Sequence, residues 1–299
     1  MSNMKNILRE NSMIFLILSF IVLEGFFFYF GNKKANEEYL VQKNRTEVLS
    51  KSIKELGIEA KAVSVYDDTT GEKIYGKNDE EKMPIASLTK IMTAIVALNN
   101  KEEKAVITKD ALRQETDYGF LVGEKFDAKE LIKFTLIGSV NDSAYALAEN
   151  IPDFLQKMNL KAKKIGMENA EFLNSTGLDM GTNISGGYAS ASDVNTVSLY
   201  AFKYHPEIFG ATVQPEMEIK SESGLVHKIE NTDLALGKIP NILFSKTGYT
   251  PLAGGNLSVI FKDKGGHIIA ATVLGSTMEG RFSDMEKITE VLYNFDYEK

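Results

Sequence analysis

Residues 84–98 read PIASLTKIMTAIVAL, and this stretch predicts the central helix of the fold. The apolar run is too long for an ordinary strand and contains only one charge, Lys90, which indicates a buried helix with Pro84 near its start. Ser87 and Lys90 are three residues apart, so their side chains share one face of that helix. A serine hydroxyl becomes a strong nucleophile when a base removes its proton, and Lys90 can be that base if its pKa is lowered.

The pattern on both sides of this helix predicts a sheet that is interrupted by helices. Residues 61–67 alternate like a strand, and residues 72–76 resemble the return strand of a hairpin. Helical periodicity follows at 108–150 and 193–204, strand patterns return at 242–247, 256–262 and 267–275, and an amphipathic helix is predicted at 283–295. This order predicts an α/β fold of the α+β type, an antiparallel sheet flanked by helices with an all-helical insertion.

Composition excludes several classes of chemistry. The 299 residues are 43% apolar and 25% charged, which is ordinary for a globular chain with a real core. The absence of cysteine excludes disulfides, thiolate nucleophiles and cysteine-ligated zinc, and three histidines argue against a multi-histidine metal site. A net charge of −7 without a dense basic block predicts no nucleic-acid partner. The remaining chemistry depends on Ser, Lys, Asp, Glu, Asn or Tyr.

The N-terminus carries an apolar segment at residues 12–30 that is about long enough to span a ~30 Å bilayer core. Lys5 and Arg9 precede it, and no small-x-small cleavage site follows it. We expect a cytoplasmic tip and membrane anchor at 1–31, a linker or stalk at 32–57, and a catalytic domain at 58–299 on the extracytoplasmic side of the cell membrane. A cleaved signal peptide and a buried helix are the alternatives for the first segment.

A second candidate group is Ser139-Val140-Asn141, between an apolar run and a predicted helix. Ser139 can relay a proton to a leaving group. The Asn141 amide can hold a lysine and donate to a substrate carbonyl. The structural alternative is an N-cap for the helix that follows.

A third candidate group is Lys246-Thr247-Gly248, on a predicted strand. Lys246 offers a positive charge and Thr247 a hydroxyl for an anionic part of a substrate. Gly248 allows a ligand to approach the backbone closely, although an ordinary strand end has the same pattern. Each of the three groups is weak evidence alone, and their order along the chain is what makes them specific.

The order S-x-x-K, S-x-N, K-T-G resembles that of the D-alanyl-D-alanine carboxypeptidase family of low-molecular-mass penicillin-binding proteins, which are penicillin-recognising serine peptidases. The resemblance extends from about residue 60 to residue 295 and implies a β-lactamase/transpeptidase-like fold. It includes residues 172–178 (FLNSTGL), where Ser175 stands in place of the usual proline. Residues 191–193 (ASD) and 281–282 (RF) also resemble the family.

The resemblance implies the removal of the terminal D-alanine from peptidoglycan stem peptides through an acyl-enzyme on Ser87, with no metal or organic cofactor. Lys90 would accept the serine proton, Ser139 would pass a proton to the leaving D-alanine, and Asn141 would orient Lys90 and the substrate amide. The expected partners are stem peptides ending in D-Ala-D-Ala, β-lactam antibiotics as covalent inhibitors, and a membrane contacted by the N-terminal segment.

The resemblance also implies how the substrate is held. Lys246 would attract the terminal carboxylate and keep Lys90 neutral, while Thr247 and Arg281 would bind that carboxylate beside Gly248. The backbone amides of Ser87 and Tyr249 would form the oxyanion hole.

Other activities share the same three groups. A D,D-endopeptidase differs only in its leaving amine, transpeptidation is possible on the same acyl-enzyme, and a non-catalytic wall-binding protein could keep the fold. A class A-like β-lactamase needs a glutamate four residues before an asparagine. If Leu173-Asn174 is that pair, the position holds Ala170, and the acid at Glu171 is one residue out of place.

Overall fold

The computed structural model describes residues 28, 33, 40–100, 103–114 and 118–295. The chain divides into two compact units, Met1–Val48 and Leu49–Lys299. The second unit therefore begins inside the segment predicted as a linker, because Leu49 and Ile53 are buried in its hydrophobic core.

The membrane prediction concerns residues that are mostly not described. Apart from residue 28, the apolar segment at 12–30 lies outside the described residues. Within the described part of the chain, every helix is too short or too polar to cross a bilayer.

The strands of the central sheet and several of the helices lie close to their predicted places. The strands are β1 (Ala62–Asp67), β2 (Glu72–Lys77), β3 (Met83–Pro84), β4 (Lys104–Val106), β5 (Lys125–Asp127), β6 (Glu171–Phe172), β7 (Gly187–Ala189), β8 (Glu216–Lys220), β9 (Val226–Glu230), β10 (Ile242–Thr250), β11 (Gly254–Lys262) and β12 (Ile268–Ser276). The helices are α1 (residues 40–54), α2 (Thr89–Leu98), α3 (Ala128–Gly138), α4 (Asn141–Glu149), α5 (Phe154–Lys164), α6 (Ala191–Tyr204), α7 (Pro206–Phe209) and α8 (Gly280–Tyr293).

The central sheet has five antiparallel strands in the order β10-β11-β12-β1-β2. The first and last parts of the chain meet where β1 pairs with β12, with Ala62 opposite Leu274 and Asp67 opposite Ile269. The predicted antiparallel sheet divided by an insertion is confirmed. Its order leaves β10, which carries Lys246-Thr247-Gly248, at one edge.

Both faces of this sheet are buried. Along β11, Val259 and Phe261 face the core beneath α8, while Ile260 faces the core formed with the helical insertion. This follows from the period-two alternation of side chains in a strand. Each large apolar side chain buried in these cores contributes about 1.5–3 kcal/mol, so the sheet is a rigid support for the side chains at its edge.

The insertion contains more than helices. A three-stranded sheet, β3-β7-β6, and two two-stranded sheets, β4-β5 and β8-β9, accompany the helices. The helical periodicity predicted from residue 108 is wrong over 108–114 and 118–127, where the structure has a short 3-10 helix (Ala111–Arg113) and β5 instead. The β8-β9 hairpin and helix α5 were not predicted. Helix α5 gives a weak apolar pattern, because it buries only Phe154, Met158 and Ala162 and its sequence is rich in lysine.

Candidate active site

Ser87 lies at the point where a short 3-10 helix, Ala86–Leu88, leads into α2. Ala86 has a φ of 48°, a left-handed conformation that costs a non-glycine residue about 1–2 kcal/mol. Such strain is concentrated at functional sites, where the surrounding structure maintains it. Lys90 follows one helical turn later, and its Nζ lies 2.9 Å from Ser87 Oγ.

The surroundings of Lys90 favour a neutral amine. Its side chain is fully buried, and its Nζ donates to Asn141 Oδ1 and to the Thr176 carbonyl oxygen, both at 2.7 Å. A neutral amine has two N–H groups, so these two acceptors use both hydrogens and leave the lone pair for the proton of Ser87. Burial, and secondarily the charge of Lys246, hold the pKa of Lys90 well below its usual value of 10.5.

Ser139 follows α3 with a φ of 55°, a second strained residue at the site. The Nζ of Lys246 donates to Ser139 Oγ and to the carbonyl oxygen of Thr247, each at 2.9 Å. Burial and the nearby guanidinium of Arg281 lower the pKa of Lys246 to about 7. The structure thus joins the second and third groups through a lysine–serine contact.

Gly248 brings the edge of β10 against the backbone of Ser87. A Cβ at this position would stand 2.9 Å from the Ile85 carbonyl oxygen and 3.2 Å from the Ser87 nitrogen, which is too close for any side chain. Arg281 Nη1 donates to the Gly248 carbonyl oxygen at 2.8 Å and the residue is only 8% exposed. Arg281 therefore supports the strand, and its contact with a substrate carboxylate stays a prediction, as does the amide of Tyr249 in an oxyanion hole.

The loop after β6 supplies a contact that sequence reasoning missed. Asn174 Oδ1 accepts hydrogen bonds from the amides of Thr176 and Gly177, and its Nδ2 donates to the Leu178 carbonyl oxygen. This network directs the Thr176 carbonyl toward Lys90. The turn residues Asn174 and Gly177 are visible in the sequence, but a backbone carbonyl that binds a lysine has no side-chain signature.

Thr232 and Asp233 were also missed. The Thr232 hydroxyl is hydrogen-bonded to the hydroxyl of Thr247 on β10. The buried carboxylate of Asp233 accepts a hydrogen bond from Ser245, which also lies on β10. Asp233 opposes the lowering of the pKa of Lys246, while burial raises the pKa of Asp233 itself. Asp233 is therefore the nearby negative charge that partly balances the two cations behind β10.

Gly177 provides a test of this packing. Its φ is 80°, and a Cβ there would overlap the carbonyl group of Ala86, the residue before the nucleophile. We expect Gly177→Ala to lower the free energy of unfolding by at least ~2–4 kcal/mol, because left-handed strain adds to a backbone clash. Thermal or urea unfolding measures this change.

Gly181→Ala is the matched control for that substitution. It lies in the same loop, and a Cβ there meets no described atom within 4 Å. We expect a change within ~0.5 kcal/mol for this exposed position. Equal unfolding free energies for the two variants would contradict the packing of Gly177 against Ala86.

The carboxylate that a class A-like β-lactamase requires is not at this site. Ala170 packs against the hydrophobic core, and the exposed Glu171 forms an ion pair with Lys82 at 2.6 Å. Within the described ranges, no group of three or more His, Asp or Glu side chains is placed to hold a metal ion.

Comparisons with known proteins agree with this geometry. A sequence profile of the family described as D-alanyl-D-alanine carboxypeptidase matches residues 49–277. The chain therefore belongs to the D-alanyl-D-alanine carboxypeptidase family, and the resemblance inferred from its three motifs is confirmed.

Individual relatives carry two different names. The D-alanyl-D-alanine carboxypeptidase DacF of Bacillus subtilis is 29% identical over 256 residues, which cover 82% of this chain and 64% of that protein. A D-alanyl-D-alanine endopeptidase of Pseudomonas aeruginosa is 30% identical over 201 residues, covering 64% of this chain and 63% of that protein. The chain thus spans less than two thirds of the length of these relatives.

A solved structure confirms the fold. Penicillin-binding protein D2 from Listeria monocytogenes, in its cefotaxime-bound form, superposes with a TM-score of 0.69 at 30% identity. The match covers 80% of this chain and 99% of that chain. The α+β sheet with its helical insertion is therefore the fold of a penicillin-binding protein.

Proposed function

We propose that this protein is a serine-type D-Ala-D-Ala carboxypeptidase that removes the terminal D-alanine from peptidoglycan stem peptides. The observation that carries the proposal is the buried Lys90 Nζ, which lies within hydrogen-bonding distance of Ser87 Oγ, Asn141 Oδ1 and the Thr176 carbonyl oxygen. The base and the nucleophile are already within hydrogen-bonding distance, as general-base catalysis requires.

Acylation begins when Ser87 Oγ attacks the carbonyl carbon of the penultimate D-alanine and its proton passes to Lys90. The backbone amides of Ser87 and Tyr249 stabilise the oxyanion, and loss of one such donor costs about 3–4 kcal/mol. As the C–N bond breaks, Ser139 passes its proton to the leaving nitrogen and takes one from Lys246, which donates to its hydroxyl.

Deacylation returns the enzyme to its starting state. A water attacks the ester carbonyl and gives a proton to Lys246, while the proton on Lys90 returns to Ser87 Oγ. Before acylation, the terminal carboxylate of the substrate is bound by the positive charges of Lys246 and Arg281 and by the hydroxyl of Thr247. The step needs no metal or organic cofactor.

The second candidate is a D,D-endopeptidase, which uses the same residues to cleave a cross-link between two stem peptides. The relative from Pseudomonas aeruginosa is named for that activity, and the chain matches it at 30% identity. Only the leaving amine differs between the two reactions, so the catalytic geometry serves both.

The proposed location is the outer face of the cell membrane. The apolar segment at 12–30 would anchor the chain, and the catalytic domain at 58–299 would then face the cell wall. Stem peptides and β-lactam antibiotics reach the site from that side.

One set of assays tests the function. We expect the full-length protein to release free D-alanine from a pentapeptide ending in D-Ala-D-Ala faster than it cleaves a cross-linked peptide dimer. With benzylpenicillin, intact-mass spectrometry should show a covalent adduct that persists for many minutes. Faster cleavage of the dimer would favour the endopeptidase, rapid drug hydrolysis without an adduct would indicate a β-lactamase, and neither reaction would indicate a wall-binding protein.

A further inference from the structure

A buried histidine joins two segments beside the turn that carries Ser139. His227 lies on β9, and its side chain is 6% exposed. Its Nε2 is 3.0 Å from Glu124 Oε1, and its Nδ1 is 3.3 Å from the carbonyl oxygen of Tyr118. We call this group of three residues, His227, Glu124 and Tyr118, the histidine clasp.

Both partners of the ring are hydrogen-bond acceptors. A carbonyl oxygen cannot donate, and Glu124 is held as a carboxylate. Burial raises the pKa of Glu124, but hydrogen bonds from His227 and from the Leu121 backbone outweigh it and bring that pKa below its ordinary value. Nδ1 is thus paired with the Tyr118 carbonyl oxygen and Nε2 with the Glu124 carboxylate, so the imidazole links the two segments.

Aromatic side chains enclose the imidazole. The rings of Phe120 and Phe126 pack around it at centroid distances of 4.6 and 5.7 Å. Removal of the imidazole would leave the buried Glu124 carboxylate without this hydrogen-bond partner. The contact is therefore suited to fix the relative positions of the two segments.

Two contacts connect the clasp to the turn before Ser139. The Tyr118 hydroxyl donates to the Gly138 carbonyl oxygen at 3.1 Å, and Gly138 directly precedes Ser139. Ile229, two residues after His227 on the same face of β9, stands 3.1 Å from the place of a Cβ on Gly138. Both clasped segments therefore contact Gly138. The next residue, Ser139, is the strained residue that receives a hydrogen bond from Lys246.

We infer that His227 is a positioning residue for Ser139, acting through Tyr118 on the turn at Gly138. It touches neither the substrate nor Ser87 and holds the proton-relaying hydroxyl in place. The kinetic part of its test rests on the proposed function.

The first test compares His227→Ala with His267→Ala. His267 forms a similar pair, with its Nδ1 2.7 Å from the buried Asp67 carboxylate, on the β1-β12 side of the sheet. We expect His227→Ala to lower kcat for D-alanine release about tenfold with KM unchanged within about twofold, because misplacement of a catalytic group by less than 1 Å is enough. His267→Ala should change kcat by less than about twofold, and equal losses in the two variants would overturn the inference.

Two conservative variants divide the clasp into its halves. An asparagine amide nitrogen lies near the position of Nδ1, and a glutamine amide nitrogen near that of Nε2. His227→Asn should therefore keep the contact with the Tyr118 carbonyl, whereas His227→Gln should keep the contact with Glu124. Because the link to Gly138 passes through Tyr118, we expect His227→Asn to retain more kcat, and the reverse order would overturn the inference.

A double-mutant cycle tests the path. Tyr118→Phe removes the hydroxyl that holds Gly138, so the loss of kcat in Tyr118→Phe combined with His227→Ala should not exceed the larger single loss. Losses that multiply would mean that the two residues act independently, which would overturn the path.

A spectroscopic measurement separates this inference from the proposed function. The chain has three histidines, so ¹⁵N NMR of histidine-labelled protein gives few signals. We expect the ring signals of His227 to change in Glu124→Gln, because that substitution alters the partner of Nε2. If the wild-type protein neither releases D-alanine nor reacts with benzylpenicillin, the proposed function fails, whereas ring signals of His227 that Glu124→Gln leaves unchanged remove the clasp itself.

Discussion

Ser87→Ala should abolish both D-alanine release and acylation by benzylpenicillin, with rates at least ~10⁴-fold below those of the wild-type protein. The variant lacks Oγ, the atom on which the acyl-enzyme forms, and Lys90 then has no hydroxyl to deprotonate. Intact-mass spectrometry after prolonged incubation with the drug measures the loss directly.

The fold should tolerate that substitution. Ser87 is half-buried, and its hydroxyl makes one hydrogen bond, to Lys90, so the free energy of unfolding should change by no more than ~1 kcal/mol. Ser139→Ala is the matched control, because it removes the other serine of the site and should still give a slow adduct. A persistent adduct on Ser87→Ala would assign the nucleophile to another residue.

Lys90→Met should lower the acylation rate at least ~10³-fold, because the side chain keeps its length and loses the base. Its effect on stability should be small. The desolvation cost of the buried amine disappears, while Asn141 Oδ1 and the Thr176 carbonyl lose a donor at about 1–3 kcal/mol each. Stopped-flow acylation and urea unfolding of the same preparation separate the two effects, and acylation within tenfold of wild type would exclude Lys90 as the base.

The pH dependence of the wild-type protein follows from the same residue. Lys90 acts as a base only when it is neutral, so the acylation rate should rise with pH through the pKa of Lys90, well below 10.5. Lys246→Met removes a nearby cation and should raise that pKa, which moves the rising limb to higher pH. The shift should be smaller than the total lowering, because burial is the larger cause. A limb that moves to lower pH would contradict this electrostatic assignment.

Local spacing accounts for the part of the site that could be predicted. Ser87 lies on the 3-10 helix that leads directly into α2, which carries Lys90. A separation of three residues in a helical stretch places the two side chains together through local geometry alone. The hydrogen bond between them is present in the structure at 2.9 Å. The strand pattern around Lys246 was equally readable, because period-two alternation is a property of the strand itself.

Other contacts of the site join residues that are remote in the chain. Lys246 meets Ser139 across 107 positions, and Thr176 meets Lys90 across 86. Periodicity carries no information about such pairs, and a backbone carbonyl such as that of Thr176 is the same in every residue. The motif order predicted that the three groups belong together only through the resemblance to a family, which supplied the missing tertiary information.

The sequence by itself indicated the class of chemistry, a serine nucleophile with a lysine base, because no cysteine is present, histidine is scarce and the helix repeat aligns Ser87 with Lys90. It also predicted the antiparallel sheet, through strand patterns joined by turn residues. The tertiary structure alone decided the electrostatic environment of Lys90, because burial and a lysine on another element lower its pKa. It alone connected His227, through Tyr118, to the turn before Ser139, because a hydrogen bond depends on distance in space and the sequence records only distance along the chain.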